Sequence, residues 1–251
     1  MHGKHFILVL TTFGMAFAQT TPPDSLKFEV ISIKANKSAS ERSALRIDAD
    51  RLSASNVSVR SLIEAGYGIK TYQIFGATDW LNTERFDVEA TAEHPVSRIQ
   101  IMEMLRSLLA ERLMLSVHRD IKDIPVFELT VAKGGSKLTE TAPDDHPQVL
   151  FSMTGPMMVL TGVKAPLKLL TPWLTSILSN TSRPVLDRTG LAGTYDFKMT
   201  WLPDDVPAGS EMEGPSIYSA IQEQLGLRLD AKMAPFDVLM IDHVERPSAN
   251  Q

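Results

Sequence analysis

Two stretches of this sequence follow one grammar, and that duplication limits the folds open to it. Residues 99–132 and residues 216–244 each read as helix, strand, strand. In the first, Ile101, Met104, Leu105, Leu108 and Leu109 recur at helical spacing, the signature of one buried stripe. Strands follow at Leu113–Val117 and at Val126–Val131, the second opened by Pro125. In the second stretch, Ser216 caps a helix carrying Ile217, Ala220, Ile221 and Gln224, and Gly226 ends it. Strands follow at Leu227–Leu229 and Phe236–Val244, and Pro235 stands where Pro125 stood. Proline lacks the ladder donor, so both positions suit the first residue of a strand.

The segments ahead of these helices also correspond. Arg85-Phe-Asp-Val matches Thr194-Tyr-Asp-Phe, and both alternate as half-buried strands. The pattern predicts hairpins at Leu45–Ala54 and at Phe151–Thr161. Ser58 is placed to cap a helix through Val59, Leu62 and Ile63 with Gly66 as its stop, and Ser97 to cap the helix at Ile101. A further helix is expected between Pro166 and Leu178, where both Pro166 and Pro172 can take a first helical position. Phe28–Lys34, Tyr72–Phe75 and Arg183–Leu186 read as strands, and Gly76–Thr83 as a turn region. Leu113-Met-Leu aligns with Leu227-Arg-Leu in this comparison.

The expected fold class is therefore α+β: two tandem divergent repeats, each β-hairpin, helix, two strands, helix, two strands, with helices packed on mixed, largely antiparallel sheets. The expected organisation is a signal peptide over 1–18, a first repeat over 19–137, a linker or surface loop over 138–150, a second repeat over 151–245 and a polar tail over 246–251. Pro203–Pro215 reads as an acidic, Gly/Pro-rich connection.

Residues Met1–Ala18 have the makings of an export signal: Lys4 in a short n-region, an apolar run over Phe6–Phe17, and Ala16-Phe17-Ala18 as a small-x-small cleavage site. The chain is expected to be exported, periplasmic or secreted, after cleavage near Ala18. No later apolar run is long enough to span a bilayer. The sequence has no cysteine, which excludes disulfides, thiolate metal sites and lipid attachment through a cysteine. The net charge of −5 becomes −6 once Lys4 is removed, and there is no basic block, which argues against a nucleic-acid partner.

Phe28-Glu-Val-x-Ser-Ile-Lys, Met104-Leu-Arg-x-Leu-Leu-Ala-Glu-Arg112, Arg183-Pro-Val-Leu-Asp-Arg-Thr-Gly-Leu-x-Gly-Thr-Tyr-Asp-Phe197, Glu223-Gln-Leu-Gly-Leu227 and Val238-Leu-Met-Ile-Asp-His-Val-Glu-Arg-Pro247 occur in that order. This framework resembles a soil-associated exported protein family, expanded in acidobacteria, that carries a domain of unknown function. The resemblance implies export and a shared fold and carries over no catalytic residue. It departs at Leu113, where the family has a bulky aromatic after the helix arginine. Some relatives are joined to antibiotic-sensor-type membrane peptidases, which implies a sensory or envelope role. The helix–strand grammar is also similar to the short N-terminal domains of secretins and TonB-dependent receptors, which act as interaction modules.

The densest acid–imidazole clusters are His118 with Asp120, and Asp242 with His243 and Glu245. A His–carboxylate pair is the raw material of a general base and its orienter. No G-x-S-x-G nucleophile elbow accompanies them, and H-E-x-x-H is absent. Asp48-Ala-Asp50 lacks the rest of an EF-hand loop, and Asp144-Asp145-His146 is a thin set of donors for an ion. Gly134-Gly135 and Gly190-x-x-Gly193 read as turns rather than phosphate loops. Arg183, Asp187 and Arg188 flank a turn, where they can pair with one another or meet a ligand carboxylate. Trp80 and Trp173 are candidates for a binding face, while Trp201 continues an apolar strand face and reads as core.

No residue is assigned as catalytic or metal-binding from this pattern, and no cofactor is implied. The reading is a non-catalytic binding or interaction module of the cell envelope, with an envelope protein or a small ligand as partner. The alternatives are an exported hydrolase built around His118 or His243, and a ligand sensor using a cleft between the repeats.

Overall fold

The computed structural model describes residues 26–38, 40, 42–203 and 213–247. The expected signal peptide, residues 204–212 of the acidic connection and the last residues of the tail lie outside them. The chain first makes β1 (Val30–Ala35), β2 (Ala44–Ile47), β3 (Arg51–Val57), α1 (Val59–Tyr67), β4 (Ile74–Phe75), α2 (Trp80–Thr83), β5 (Phe86–Thr91), α3 (Arg98–Arg112) and β6 (Ser116–Val131). It goes on through β7 (Thr139–Thr141), β8 (Gln148–Thr154), β9 (Met157–Pro166), α4 (Leu167–Ile177), β10 (Val185–Asp187), β11 (Thr194–Trp201), α5 (Ile217–Leu225) and β12 (Leu227–His243). Short 3-10 turns at Thr71–Gln73 and Ser179–Thr181 precede β4 and β10. The class is α+β, with three four-stranded sheets and five α-helices among the described residues.

Local chemistry accounts for the helices. Ser58, Ser97 and Ser216 each accept a hydrogen bond from the backbone N–H three residues on, at 3.1, 3.3 and 3.1 Å. Such a cap contributes about 1 kcal/mol. The five apolar residues expected on α3 are all buried. Helix α1 ends at Gly68, whose φ of +64° closes the turn, and not at Gly66. Gly66 is buried inside α1, where an added Cβ would sit 3.5 Å from both Leu105 and Arg106 of α3. The start of α4 resolves at Pro166, the cap residue, so Pro172 lies within the helix.

The first sheet runs β1-β5-β3-β2 and the third runs β7-β11-β9-β8. Both are antiparallel throughout. Each carries a bulge at the matching place. Register shifts between Ala54 and Val57 of β3, opposite Asp87, and again opposite Asp196 between Gly162 and Ala165 of β9. The bulged residues Asn56 and Lys164 have φ of +54° and +47°. Asp87 Oδ1 accepts the Asn56 backbone N–H at 2.9 Å, and Asp196 Oδ1 accepts that of Lys164 at 2.7 Å. Each bulge side chain then reaches back to the segment ahead of the edge strand. Asn56 Nδ2 donates to the carbonyls of Ser40 and Arg42, while Lys164 Nζ meets Asp144 Oδ2 at 2.6 Å.

The middle sheet, β10-β6-β12-β4, joins these two layers. Its heart is an antiparallel ribbon in which β6 and β12 pair from Val117↔Ile241 to Val131↔Leu227. At ~3.4 Å per residue the ribbon is about 50 Å long. Its ends are apolar and go to different cores. Leu115, Val117, Leu239 and Ile241 pack with β3, β5, α1 and α3. Phe127, Leu129, Leu227 and Leu229 pack with β9, β11, α4 and α5. Each half of the chain thus donates one strand end to the core of the other. A small third cluster, Ile124, Val126, Ala234 and Val238, lies at mid-ribbon.

The prolines correct the expected strand boundaries. Pro125 and Pro235 open no strand; each lies inside one long strand, so the two terminal strands expected per unit are one. Their missing donors fall where no partner strand stands. Phe127 N–H donates to the Pro184 carbonyl, toward β10, so odd residues of β6 turn away from β12. Pro125 shares that side, and pairing with β10 begins only at Phe127. Pro235 is related in the same way to β4, which pairs first at Leu239.

Other boundaries also move. Leu113–Leu115 is the exit of α3 rather than strand, and Met114 takes a φ of +50°. Met114 and Gly226 both take a positive φ, +50° and +66°, each just before a buried leucine, Leu115 or Leu227, so the geometry does not match Leu113 to Leu227 as expected. Tyr72 and Gln73 belong to a 3-10 turn, and Trp80–Thr83 forms α2. The stretch read as a linker contains β7, which pairs with β11.

Candidate functional site

Both histidines meet carboxylates: His118 pairs with Asp242 rather than with nearby Asp120, and His243 pairs with Glu245 of its own cluster. His118 Nδ1 lies 2.8 and 2.9 Å from the two carboxylate oxygens of Asp242, across the β6–β12 ladder. Asp120 instead accepts the Ile121 backbone N–H. His243 Nε2 meets Glu245 at 2.9 Å. All four side chains are exposed, no hydroxyl nucleophile is bonded to either ring, and neither pair lines a described cavity. Exposed pairs of this kind contribute up to about 1 kcal/mol. Among the described residues no three His, Asp or Glu side chains gather as metal ligands.

The turn charges separate. Asp187 accepts from the backbone N–H and hydroxyl of Thr189, Arg188 approaches Glu128 at 3.6 Å, and Arg183 stacks 5.4 Å from the Phe127 ring centroid. Trp80 lies under the Arg246 guanidinium, which is held by Glu84. Trp201 is buried, as expected for core, and Trp173 stacks on Phe151 at the surface.

Among the described residues a concavity of about 580 Å³ lies between the two halves. One wall is the end of α1 and the turn after it, with Glu64, Lys70 and Tyr72; the other is α4 and the approach to β10, with Thr171, Ser176 and Arg183. Phe236 of β12 sits between, edge-on to Tyr72 at 5.9 Å. Both walls are pinned. Arg60 donates to the Thr71 carbonyl at 3.2 Å, Thr71 donates its hydroxyl to Glu64, and Gln73 Nε2 donates to the Asp237 carbonyl at 3.0 Å. Opposite, the Thr175 hydroxyl donates to the Thr171 carbonyl and accepts the Val185 N–H, each at 2.9 Å. Burial pushes the Tyr72 phenol above its ordinary pKa, so it stays a neutral donor. A cleft between the repeats was among the sequence-based alternatives, but of its lining only Arg183 was named as a ligand-binding candidate, because the lining residues come from four separated segments.

A second feature is the free edge of β8. Among the described residues β8 pairs only with β9. Its sequence, QVLFSMT, carries no charge and no proline. Leu150, Phe151 and Met153 are 52%, 41% and 62% exposed, and Val163 and Trp173 extend the patch.

Fold and surface together define an α+β protein with an inter-half cleft and an apolar strand edge, whose described residues assemble no nucleophile–base constellation. The chain belongs to the family described as "Protein of unknown function (DUF3738)", whose model matches residues 60–244. No curated protein and no solved structure matches it.

Proposed function

We propose that this chain is an exported, non-catalytic interaction module of the cell envelope, built from two divergent copies of one unit and of the soil-associated kind that its motifs resemble. The duplication is supported by the equal strand orders of the outer sheets and by the paired bulges at Asn56 and Lys164. Export is supported by the Met1–Ala18 pattern, and N-terminal sequencing of the secreted or periplasmic product at Gln19 tests it.

The observation that carries the interaction reading is β8. An edge strand normally carries charges, prolines or a covering element against pairing with another chain. This one presents seven uncharged residues with apolar side chains on both faces. Strand addition supplies main-chain hydrogen bonds along such an edge and pockets for alternate side chains. The partner is an extended, predominantly apolar segment of an envelope protein. A photoreactive residue at Ser152 crosslinks that segment in wild type, and Leu150→Lys abolishes the crosslink. Equal crosslinking in the variant, or crosslinks to a second copy alone, overturns the reading.

A further inference from the structure

We infer that the cleft between the halves is a binding site for a small organic monoanion: a carboxylate on a short chain that carries an aromatic ring. This goes beyond the strand-edge reading and uses none of its residues.

Charge comes first. Arg183 and Lys70 line the cleft, and neither has a carboxylate within 4.0 Å among the described residues. The one acid of the lining, Glu64, already accepts the Thr71 hydroxyl. The lining thus sums to one positive charge, which a monoanion neutralises and a dianion overshoots. Arg183 is the natural carboxylate partner, because its planar fork matches two oxygens. Its place over Phe127 restricts the guanidinium before any ligand arrives.

Shape and hydrogen bonding agree. Tyr72, Phe236, Pro172, Pro184 and Leu186 give the cleft an apolar side for the ring and its chain. The Tyr72 hydroxyl has no protein partner among the described residues and is a ready donor. The pinned walls mean that little ordering has to accompany binding.

Calorimetry and thermal shift on the mature full chain test this with four probes: 4-phenylbutyrate, its neutral amide, phenyl phosphate and butyrate. The carboxylate with the ring raises the melting temperature at millimolar concentration, and the amide and butyrate bind at least about tenfold more weakly, a loss of ~1.4 kcal/mol. Arg183→Gln weakens 4-phenylbutyrate by a similar factor, and Lys70→Gln, at an exposed position, weakens it less while leaving the unliganded melting temperature in place. The proposal is overturned if the amide matches the carboxylate, if phenyl phosphate binds more tightly, if both variants bind like wild type, or if no probe shifts the melting temperature. Leu150→Lys binds the carboxylate as wild type does, so this site and the strand edge stand or fall separately.

Discussion

The two outer sheets share strand order and bulge, yet they are locked by different means. In the first, the bulge is held inward. Asn56 is 6% exposed, and Asp87 takes three donors: the Asn36 side chain, the Ser55 hydroxyl and the Asn56 N–H. In the third, the same geometry is held by one backbone bond to Asp196 and an exposed Lys164–Asp144 pair. Packing at the bulge is exchanged as well. Ala54 opposite Val88 in the first sheet becomes Gly162 opposite Phe197 in the third, so a large ring fills the space a methyl group left. The first sheet ends in the short β2, which carries Arg46, and the third in the longer, uncharged β8. One backbone plan tolerates two solutions, and the looser lock accompanies the more exposed apolar edge.

The hardest test of that comparison asks whether the halves are separable at all. Leu239 belongs by sequence to the last strand and by packing to the first core, where it is 1% exposed. Leu239→Ala costs about 2–5 kcal/mol. Trp80 and Trp201 report on different cores, and in denaturant both fluorescence transitions shift together in a double-probe experiment. Separate midpoints would show two independent domains.

Next is the exchanged pair. A Cβ added at Gly162 would lie 2.1 Å from the Phe197 ring, so Gly162→Ala costs about 1–3 kcal/mol by overpacking. Adding Phe197→Val rebuilds the Ala–Val arrangement of the first sheet and recovers part of the loss in thermal melts. A double variant no better than the single one would mean that the two bulges are not equivalent.

Smaller effects attend the bulge carboxylates. Asp87→Ala costs about 2 kcal/mol and Asp196→Ala about 1, since three donors are orphaned in one case and a single one in the other. Equal losses by urea denaturation would refute the contrast in locking.

The smallest is acid sensitivity. Hydrogen bonds, first from Asn36 and then from Asn56, hold the Asp87 carboxyl below its usual range, and Ser53 and Arg51 do the same for Glu89. Folded pKa values below the unfolded ones stabilise the protein above about pH 4, and that stability is lost as pH falls through the depressed values. Asp87→Asn with Glu89→Gln flattens the melting temperature between pH 5 and 3, as followed by circular dichroism.

Much of this fold was legible because local rules decide it. The α3 stripe, the serine caps and the alternation of β5 and β11 need no distant information. The long ribbon was hidden because Pro125 and Pro235 carry the sign of a strand start, and only the absence of a partner beside each explains their place inside one. Gly66 was read as a helix stop, but the left-handed turn that ends α1 falls two residues later, at Gly68. The His118–Asp242 pair spans 124 positions, and no spacing rule reaches that far. A cleft between the halves was foreseeable, but its lining was illegible for the same reason, since Tyr72, Arg183 and Phe236 meet only after both halves have folded.

The exchanged strand ends also set an order of events in time. Gln73 is bonded to Asp237, 164 positions downstream, and the first core lacks Leu239 and Ile241 until the last strand arrives. Contacts so remote in sequence form slowly, because a long loop must close before they gain anything. During synthesis the half that is made first is therefore the half that finishes last, and the nascent chain stays unlocked until β12 has emerged.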